Sequence, residues 1–411
     1  MAQAEADTAA LSGIRVLDLT TNYAAYAGRL LADLGADVVR VEPPEGSAVR
    51  RLAPSARARS GECVSFAHAF LDAGKRSVTL DLASAAGRAR LAQLAAASDV
   101  VIETGAPSAQ AGAPLDFAAI ARRNPALVLV SISPFGRGGP YGGHAATDLT
   151  LLAAGGLLSL GGYADSAPLA VHGEQAMLAC GIYGAVAALA ALYARTQSGK
   201  GCWIDLSGQE CVAFALEDAL PEWSINARVR RRQGETAREA GTGVYPCKDG
   251  HVSMVAGRLG TAKAFDALTD WIAASGVPGG AELRAPQWRN FNYRQSPEGV
   301  ARFAEIFGAF CRTRGKQELY REGQARQIAI APVNTIAEVV EDAQLKANDF
   351  FQPQVEELWG KEVIFPGPPY RLSRTPARRR GPAPKLGEHN RELLEESEQS
   401  RNPTDIGVGP G

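Results

Sequence analysis

The feature that most restricts how this chain folds is a series of short, almost unbroken apolar runs near its start. They read "RVLDL" (15–19), "ADVVRVE" (36–42), "SVTLDL" (77–82), "DVVIET" (99–104) and "ALVLVSIS" (126–133). Helical patterns separate them: "AAYAGRLLADLG" (24–35), "SAAGRARLAQLAAAS" (84–98) and "DFAAIARRN" (116–124). In the first of these, Leu30, Leu31 and Leu34 share a face and Gly35 supplies the stop. Strands alternating with helices of this length form βαβ units around a mostly parallel sheet. Runs without polar alternation belong to strands covered on both faces. Such sheets bind ligands beyond the carboxyl ends of their strands, near the point where strand order reverses. The loops after Leu19, Glu42, Glu103 and Ser133 are therefore expected to surround a site.

Further along, "WIDLS" (203–207) is a strand pattern, and a helical stretch runs to Leu220. The polar, basic "NARVRRRQGETAREAGTG" (226–243) reads as a linker or exposed loop. "VYPCKDGHVSMVAG" (244–257) predicts a hairpin turning at Lys248-Asp249-Gly250, and helical patterns follow to about residue 325. Together these make a smaller α+β domain. "AIAPVNTIAEVVEDAQL" (329–345) is a strand or loop and then a helix, and the Pro- and Arg-rich 363–384 is extended. The final residues, from Gln399 on, are expected to be disordered.

A chain of 411 residues suggests two or three domains. With 43 basic and 44 acidic side chains, its charge gives no reason to expect nucleic acid or an anionic membrane as partner. Six scattered cysteines, with no CxxC pair and no Cys/His cluster, fit a reduced cytoplasmic setting and predict no metal. The N-terminus has no apolar signal core. "AMLACGIYGAVAALAALYA" (176–194) is uncharged, but its Ala and Gly gain little from lipid, so it reads as a buried core helix. GxGxxG, the P-loop and GxSxG are all missing, which removes dinucleotide, nucleoside triphosphate and α/β-hydrolase sites. "PFGRGGPYGGH" (134–144) is a Gly-rich turn that could approach a phosphate. In "GGLLSLGGYADSAP" (155–168), Asp165 is either an ordinary turn acid or a nucleophile, and its neighbours alone do not decide.

The segments "GIRVLDLT" (13–20), "AGRLLADLGADVVRVEPP" (27–44), "GKRSVTLDL" (74–82), "NPALVLVSISPFGRGGPY" (124–141), "APVNTIAEV" (331–339) and "FPGPPYRLSRTPA" (365–377) occur in an order that resembles the class III coenzyme A transferases, which include formyl-CoA and carnitine-CoA transferases and the α-methylacyl-CoA racemases. The resemblance implies an α/β architecture: a Rossmann-type large domain from residues 1–225, a small domain with linkers at 226–328, and a C-terminal segment, 329–411, returning to the large domain. It also implies two interlocked chains, as a homodimer or as a heterodimer with a paralogous subunit.

The activity implied is transfer of CoA from an acyl-CoA to a carboxylic acid in the cytoplasm. CoA and acyl-CoA are substrates, and no cofactor is permanently bound. Asp165 matches the family's nucleophile pattern, and an ionised carboxylate needs no partner base. Asp148, read as a helix N-cap, is the second-choice acid. Gly161 and Gly162, with Gly241 and Gly243 of "EAGTG", are candidates for oxyanion or covering loops. Tyr23, Ala24, Arg40, Lys75, Arg76 and Arg137 match CoA-contact positions. The racemases' His position is Thr147 here, and their Asp position falls at Ala176 or Met177, which disfavours α-proton exchange. A racemase or a non-catalytic partner subunit remain the alternatives, since the usual Ala-Gly-Pro and Asn-Phe-Arg/Lys-Pro segments read "YAAYAG" (23–28) and "TGAP" (104–107). The run Arg228, Arg230, Arg231 and Arg232 reads as a solvated linker in preference to a contact for a dicarboxylate or a CoA phosphate.

Overall fold

The computed structural model describes residues 9–105, 117–232, 234, 239–256, 262–356 and 359–399. Its first elements are β1 (Arg15–Leu19), α1 (Tyr26–Asp33), β2 (Asp37–Glu42), β3 (Ser55–Arg57), β4 (Cys63–Ser65), α2 (Phe66–Leu71), β5 (Arg76–Thr79) and α3 (Ala85–Ala96). They continue with β6 (Val100–Glu103), α4 (Phe117–Arg123), β7 (Val128–Ser133), α5 (Asp148–Ala154), α6 (Gln175–Ser198), β8 (Trp203–Ser207) and α7 (Gly208–Ala213). Six strands form one sheet in the order β5-β2-β1-β6-β7-β8, and every neighbouring pair is parallel. The fold is thus mixed α/β with a parallel central sheet. Strand order reverses between β1 and β6.

The unbroken apolar runs are explained by cover on both faces. Val16, Val38, Val100, Val128 and Val130 pack with α1 and α6 on one side. Leu17, Val39, Val78, Val101 and Leu129 pack with Leu91, Ala95 and Ile120 on the other. β5 stops at Thr79, short of the expected 82, because Asp81 turns the chain: its Oδ1 accepts from Ala83 N at 3.0 Å, and its carbonyl accepts from Ser84 Oγ at 2.8 Å. The antiparallel β3–β4 hairpin was not foreseen. Its strands are too short to carry a periodic signal.

α6 is long and apolar enough to cross a membrane by composition, yet it packs as a core helix against α1 and β7. Its glycines permit the approach. A Cβ on Gly181 would lie 2.8 Å from Tyr26 Cβ, and one on Gly184 would lie 3.1 Å from Ile132 Cδ1. Gly181→Val is expected to destabilise the chain by about 1–3 kcal/mol through overpacking, read as a lowered urea midpoint.

The chain divides into two compact units. One comprises the residues up to Leu157, Val171–Pro221 and the chain from Gln344 on; the other comprises Leu158–Ala170 and Glu222–Ala343. In the second unit, β9 (Thr242–Cys247) and β10 (Gly250–Val255) form the expected hairpin. β11 (Ala329–Pro332) adds antiparallel to β10, with Val252 opposite Pro332. β11 therefore belongs to this sheet, since Ile330 is buried with Phe303, Phe307 and Trp288 in its core. In the first unit, β12 (Phe351–Glu356) and β13 (Lys361–Pro366) pair as a hairpin, and extended chain follows. The expected disordered tail lies outside the described residues, save Gln399 at the end of a helix.

Candidate functional site

The carboxyl ends of the sheet open into two adjoining cavities within the first unit. One, of about 610 Å³, lies over β1, β2, β5 and β6, between Thr20, Glu42, Arg51, Asp81 and Glu103. The other, of about 280 Å³, lies between Asn22, Ser133, His144, Leu151 and Met177. Thr21, Thr104 and Gly105 line both. All four loops expected around a site contribute.

Beneath the larger cavity is a closed group of buried charges. Arg40 Nη1 donates to Asp18 Oδ1 at 2.8 Å and to Thr20 Oγ1 at 2.6 Å. Lys75 Nζ donates to Asp18 Oδ2 at 2.7 Å, Asp72 Oδ1 at 3.0 Å and Ala25 O at 2.8 Å. Both cations have side chains 0% exposed. Burial raises the Asp18 and Asp72 carboxyls, but Lys75 and Arg40 outweigh it, holding Asp18 below and Asp72 well below the ordinary value. Glu42, also opposed by burial, is brought down to about 2 by Arg50, Ser47 and Ser77. The group fixes the loop after β1, which lines both cavities.

The residues expected to meet CoA are therefore spread out. Arg40 and Lys75 lie in this buried group and line neither cavity. Arg76 stands at the amino end of β5, paired with Asp37 and, at 2.7 Å, with Glu392. Ala24 is buried, its N–H donating to Asn22 Oδ1 at 3.0 Å, and Tyr23 begins the same short turn. From this loop the cavity walls take Thr20, Thr21 and Asn22 instead. Arg137 comes nearer: it pairs with Glu103, and a Cβ on cavity-lining Gly105 would lie 3.1 Å from its Nη2. Arg51, exposed on the wall of the larger cavity, was missed, though "EGSAVRR" (45–51) after β2 held the signal.

Asp165 is exposed at a turn closed by Ser166 N donating to Tyr163 O at 3.4 Å. Leu169 N donates to Gly161 O at 3.1 Å, and Gly162 takes φ +100°. A Cβ on Gly161 would lie 2.4 Å from Leu169 O, so this position tolerates only glycine. Arg232 holds the turn: Nε donates to Tyr163 O and Nη2 to Ser166 O, both at 3.0 Å. Of the basic run, this guanidinium is thus not merely solvated. Arg232→Ala is expected to speed amide exchange across 158–170 while leaving β9–β11 protected, as read by hydrogen–deuterium exchange mass spectrometry. Gly241 accepts from Ala256 N at 2.7 Å, and Gly243 pairs with Met254 inside β9, so "EAGTG" leads into a strand of the hairpin.

Asp148 is buried, but it is not the N-cap of α5. That place belongs to Thr147, in a capping box with Thr150. Asp148 instead caps α6, its Oδ1 accepting from Met177 N at 2.9 Å. Beside it is an acid the sequence reading passed over, Glu174, the first residue of the turn into α6, preceded by Gly173 at φ +83°. Burial raises the Asp148 carboxyl against its backbone hydrogen bonds; burial and then the Asp148 charge raise that of Glu174. Gly-Glu immediately before the long apolar helix was the available signal. Position 147 is Thr and offers no imidazole to Asp148.

The family model for CoA-transferase family III matches residues 11–390. The subunit BbsE of succinyl-CoA:(R)-benzylsuccinate CoA-transferase from Thauera aromatica is 34% identical, the match covering 94% of this chain and 93% of that protein. The beta subunit of succinyl-CoA–L-malate CoA-transferase from Chloroflexus aurantiacus is 31% identical, over 95% and 94% of the two chains. A CAIB/BAIF family protein from Brucella suis superposes with a TM-score of 0.81 at 26% identity, covering 94% of this chain and 98% of that one. With a family model spanning nearly the whole sequence and relatives of this similarity, the chain belongs to CoA-transferase family III and is a CoA-transferase enzyme.

Proposed function

We propose that the chain transfers CoA from an acyl-CoA to a carboxylic acid through a covalent carboxylate intermediate. The carboxylate oxygen attacks the thioester carbon, the C–S bond breaks, and CoA leaves as thiolate, giving a mixed anhydride. The thiolate attacks the enzyme's acyl carbon and expels the donor acid, leaving an enzyme–CoA thioester. The acceptor carboxylate attacks this thioester to form a second anhydride and free the thiolate. Attack of the thiolate on the acceptor acyl carbon releases the new acyl-CoA and restores the carboxylate. Each step trades one activated acyl bond for another, so nothing else need supply energy.

The resemblance gives the nucleophile's role to Asp165. The observation that favours a second reading is the Asp148–Glu174 pair at the start of α6. Two neighbouring carboxylates repel, and acylating one removes its charge and that repulsion. Glu174 is therefore destabilised as an anion and relieved as an anhydride, which is the direction the first step needs. Its raised pKa also makes it the stronger nucleophile once ionised.

The test is to mix the protein with an acyl-CoA, quench with hydroxylamine and locate the hydroxamate by peptide mass spectrometry. Adduct on Glu174 supports the geometric reading, adduct on Asp165 the family pattern, and no adduct on either sinks the covalent mechanism.

The relatives' names support succinyl-CoA as donor and a second chain as partner. The outward face of α6 carries exposed Ile182, Val186 and Tyr193, which fits association with another copy or a paralogue. The purified chain is expected to run as a dimer, or to become one when its partner is added, as measured by light scattering after gel filtration. A monomer that turns over unaided would oppose this. The cytoplasm is its proposed location.

A further inference from the structure

The two cavities differ in charge. The larger is lined by Glu42, Arg51, Asp81 and Glu103 among others. Among the described residues, the smaller has no Asp, Glu, Lys or Arg in its wall. One side of it is Ile132, Leu151 and Cys180, all buried in the core, with Met177 beside them. One aromatic ring, His144, stands in its wall, backed by Tyr141 at 5.2 Å and Phe135 at 6.3 Å. Hydroxyls and an amide, from Thr21, Thr104 and Asn22, stand where it joins the larger cavity.

We infer that the smaller cavity takes the acyl side group of one thioester substrate, and that this group is uncharged and apolar, of phenylalkyl size. The inference rests on the CoA-transfer reading above. A free carboxylate placed against Ile132, Leu151 and Met177 would lose its water and meet no cation in the wall, a cost that excludes it. An aryl group would lose little water and gain contact with the His144 ring. The ≈ 280 Å³ has room for a phenylalkyl group. Thr21 and Thr104, shared by both cavities, mark where the thioester would cross from one to the other.

The experiment uses unreactive thioethers, so that binding is measured without turnover. Free CoA, S-ethyl-CoA, S-carboxypropyl-CoA and S-phenylpropyl-CoA are titrated into the full chain by calorimetry. The phenylpropyl compound is expected to bind at least about tenfold more tightly than the ethyl compound, the range for an apolar group filling a matched pocket. Ala145 and Ala146 both line the cavity, Ala145 exposed and Ala146 half-buried. Ala146→Phe should erase the advantage and leave free CoA affinity unchanged; Ala145→Trp, at the exposed position, gives the same readout if Ala146→Phe does not fold. Equal binding of the ethyl and phenylpropyl compounds overturns the inference, as does a gain for the carboxypropyl compound alone or an advantage that survives both substitutions. Absence of free CoA binding overturns the CoA-transfer reading itself and the inference with it.

Discussion

Glu174→Gln is expected to lower CoA transfer by about 10³-fold or more, the loss typical when a covalent nucleophile is removed, with CoA affinity unchanged. Gln keeps the size of the side chain and leaves Asp148 to cap α6, so the fold and the cap bond to Met177 persist. In the same assay Asp165→Ala is expected to retain most of the rate. If the two results are exchanged, the nucleophile is Asp165 and the Asp148–Glu174 pair is structural. The pH profile gives a second readout. Because burial and Asp148 raise the Glu174 carboxyl, the ionised, attacking form is lost at a pH above the ordinary glutamate value of about 4.3. The acid limb of kcat/KM should therefore lie above that value and move down towards it in Asp148→Asn, which removes the repelling charge while keeping a carbonyl to accept from Met177. A profile unmoved by Asp148→Asn would oppose the pairing.

The second large effect is on stability. Lys75→Met and Asp18→Leu are each expected to cost about 3–5 kcal/mol, because each leaves the buried group with one charge in excess. Lys75→Met leaves Asp18 and Asp72 to share Arg40, with His68 also on Asp72, and Asp18→Leu leaves Lys75 and Arg40 to share Asp72. The double replacement should cost less than the sum, and a thermodynamic cycle of urea melts measures the difference. The pH dependence follows from the same group. The Asp18, Asp72 and Glu42 carboxyls all lie below their usual values. Their contribution is present in full above about pH 4–5, where the unfolded acids are ionised. It is lost as the pH falls through the folded values, for Glu42 down to about 2. Stability should thus fall steeply on acidification below pH 5, and less steeply in the double replacement.

The parallel sheet was legible because its signal is local and repeated. "RVLDL" and "WIDLS" match β1 and β8 residue for residue, and the loops after Leu19, Glu42, Glu103 and Ser133 do line the cavities. What escaped was set by distant contacts. Arg40 and Lys75 read as CoA contacts, and Asp18 and Asp72 carried no reading of their own. Only the pairing of β1 with β2 and the position of α2 bring them together. Asp148 looked like the cap of its own helix because caps are found by sequence proximity, whereas its bond goes to a helix that starts at Gln175. Glu174 drew no reading of its own, because the Gly-Tyr-Ala-Asp context of Asp165 is louder in sequence. Arg232 vanished into a basic run, since no periodicity tells which of several arginines will find backbone carbonyls.

The way the backbone passes between the two units bears on how the protein is made. The chain leaves the first unit after Leu157, returns at Val171, leaves again after Pro221 and returns at Gln344. The last return closes the sheet edge: Thr79 N donates to Asn390 Oδ1 at 2.8 Å, and His389 N to Ser77 O at 2.9 Å. A nascent chain emerging from the ribosome therefore holds β5 as an uncovered edge until His389 and Asn390 appear. Exposed parallel strands awaiting distant partners fold slowly and aggregate readily. Truncation before residue 390 should yield insoluble protein, and recombinant yield should respond to chaperones that shield nascent chains more than to changes in the finished core.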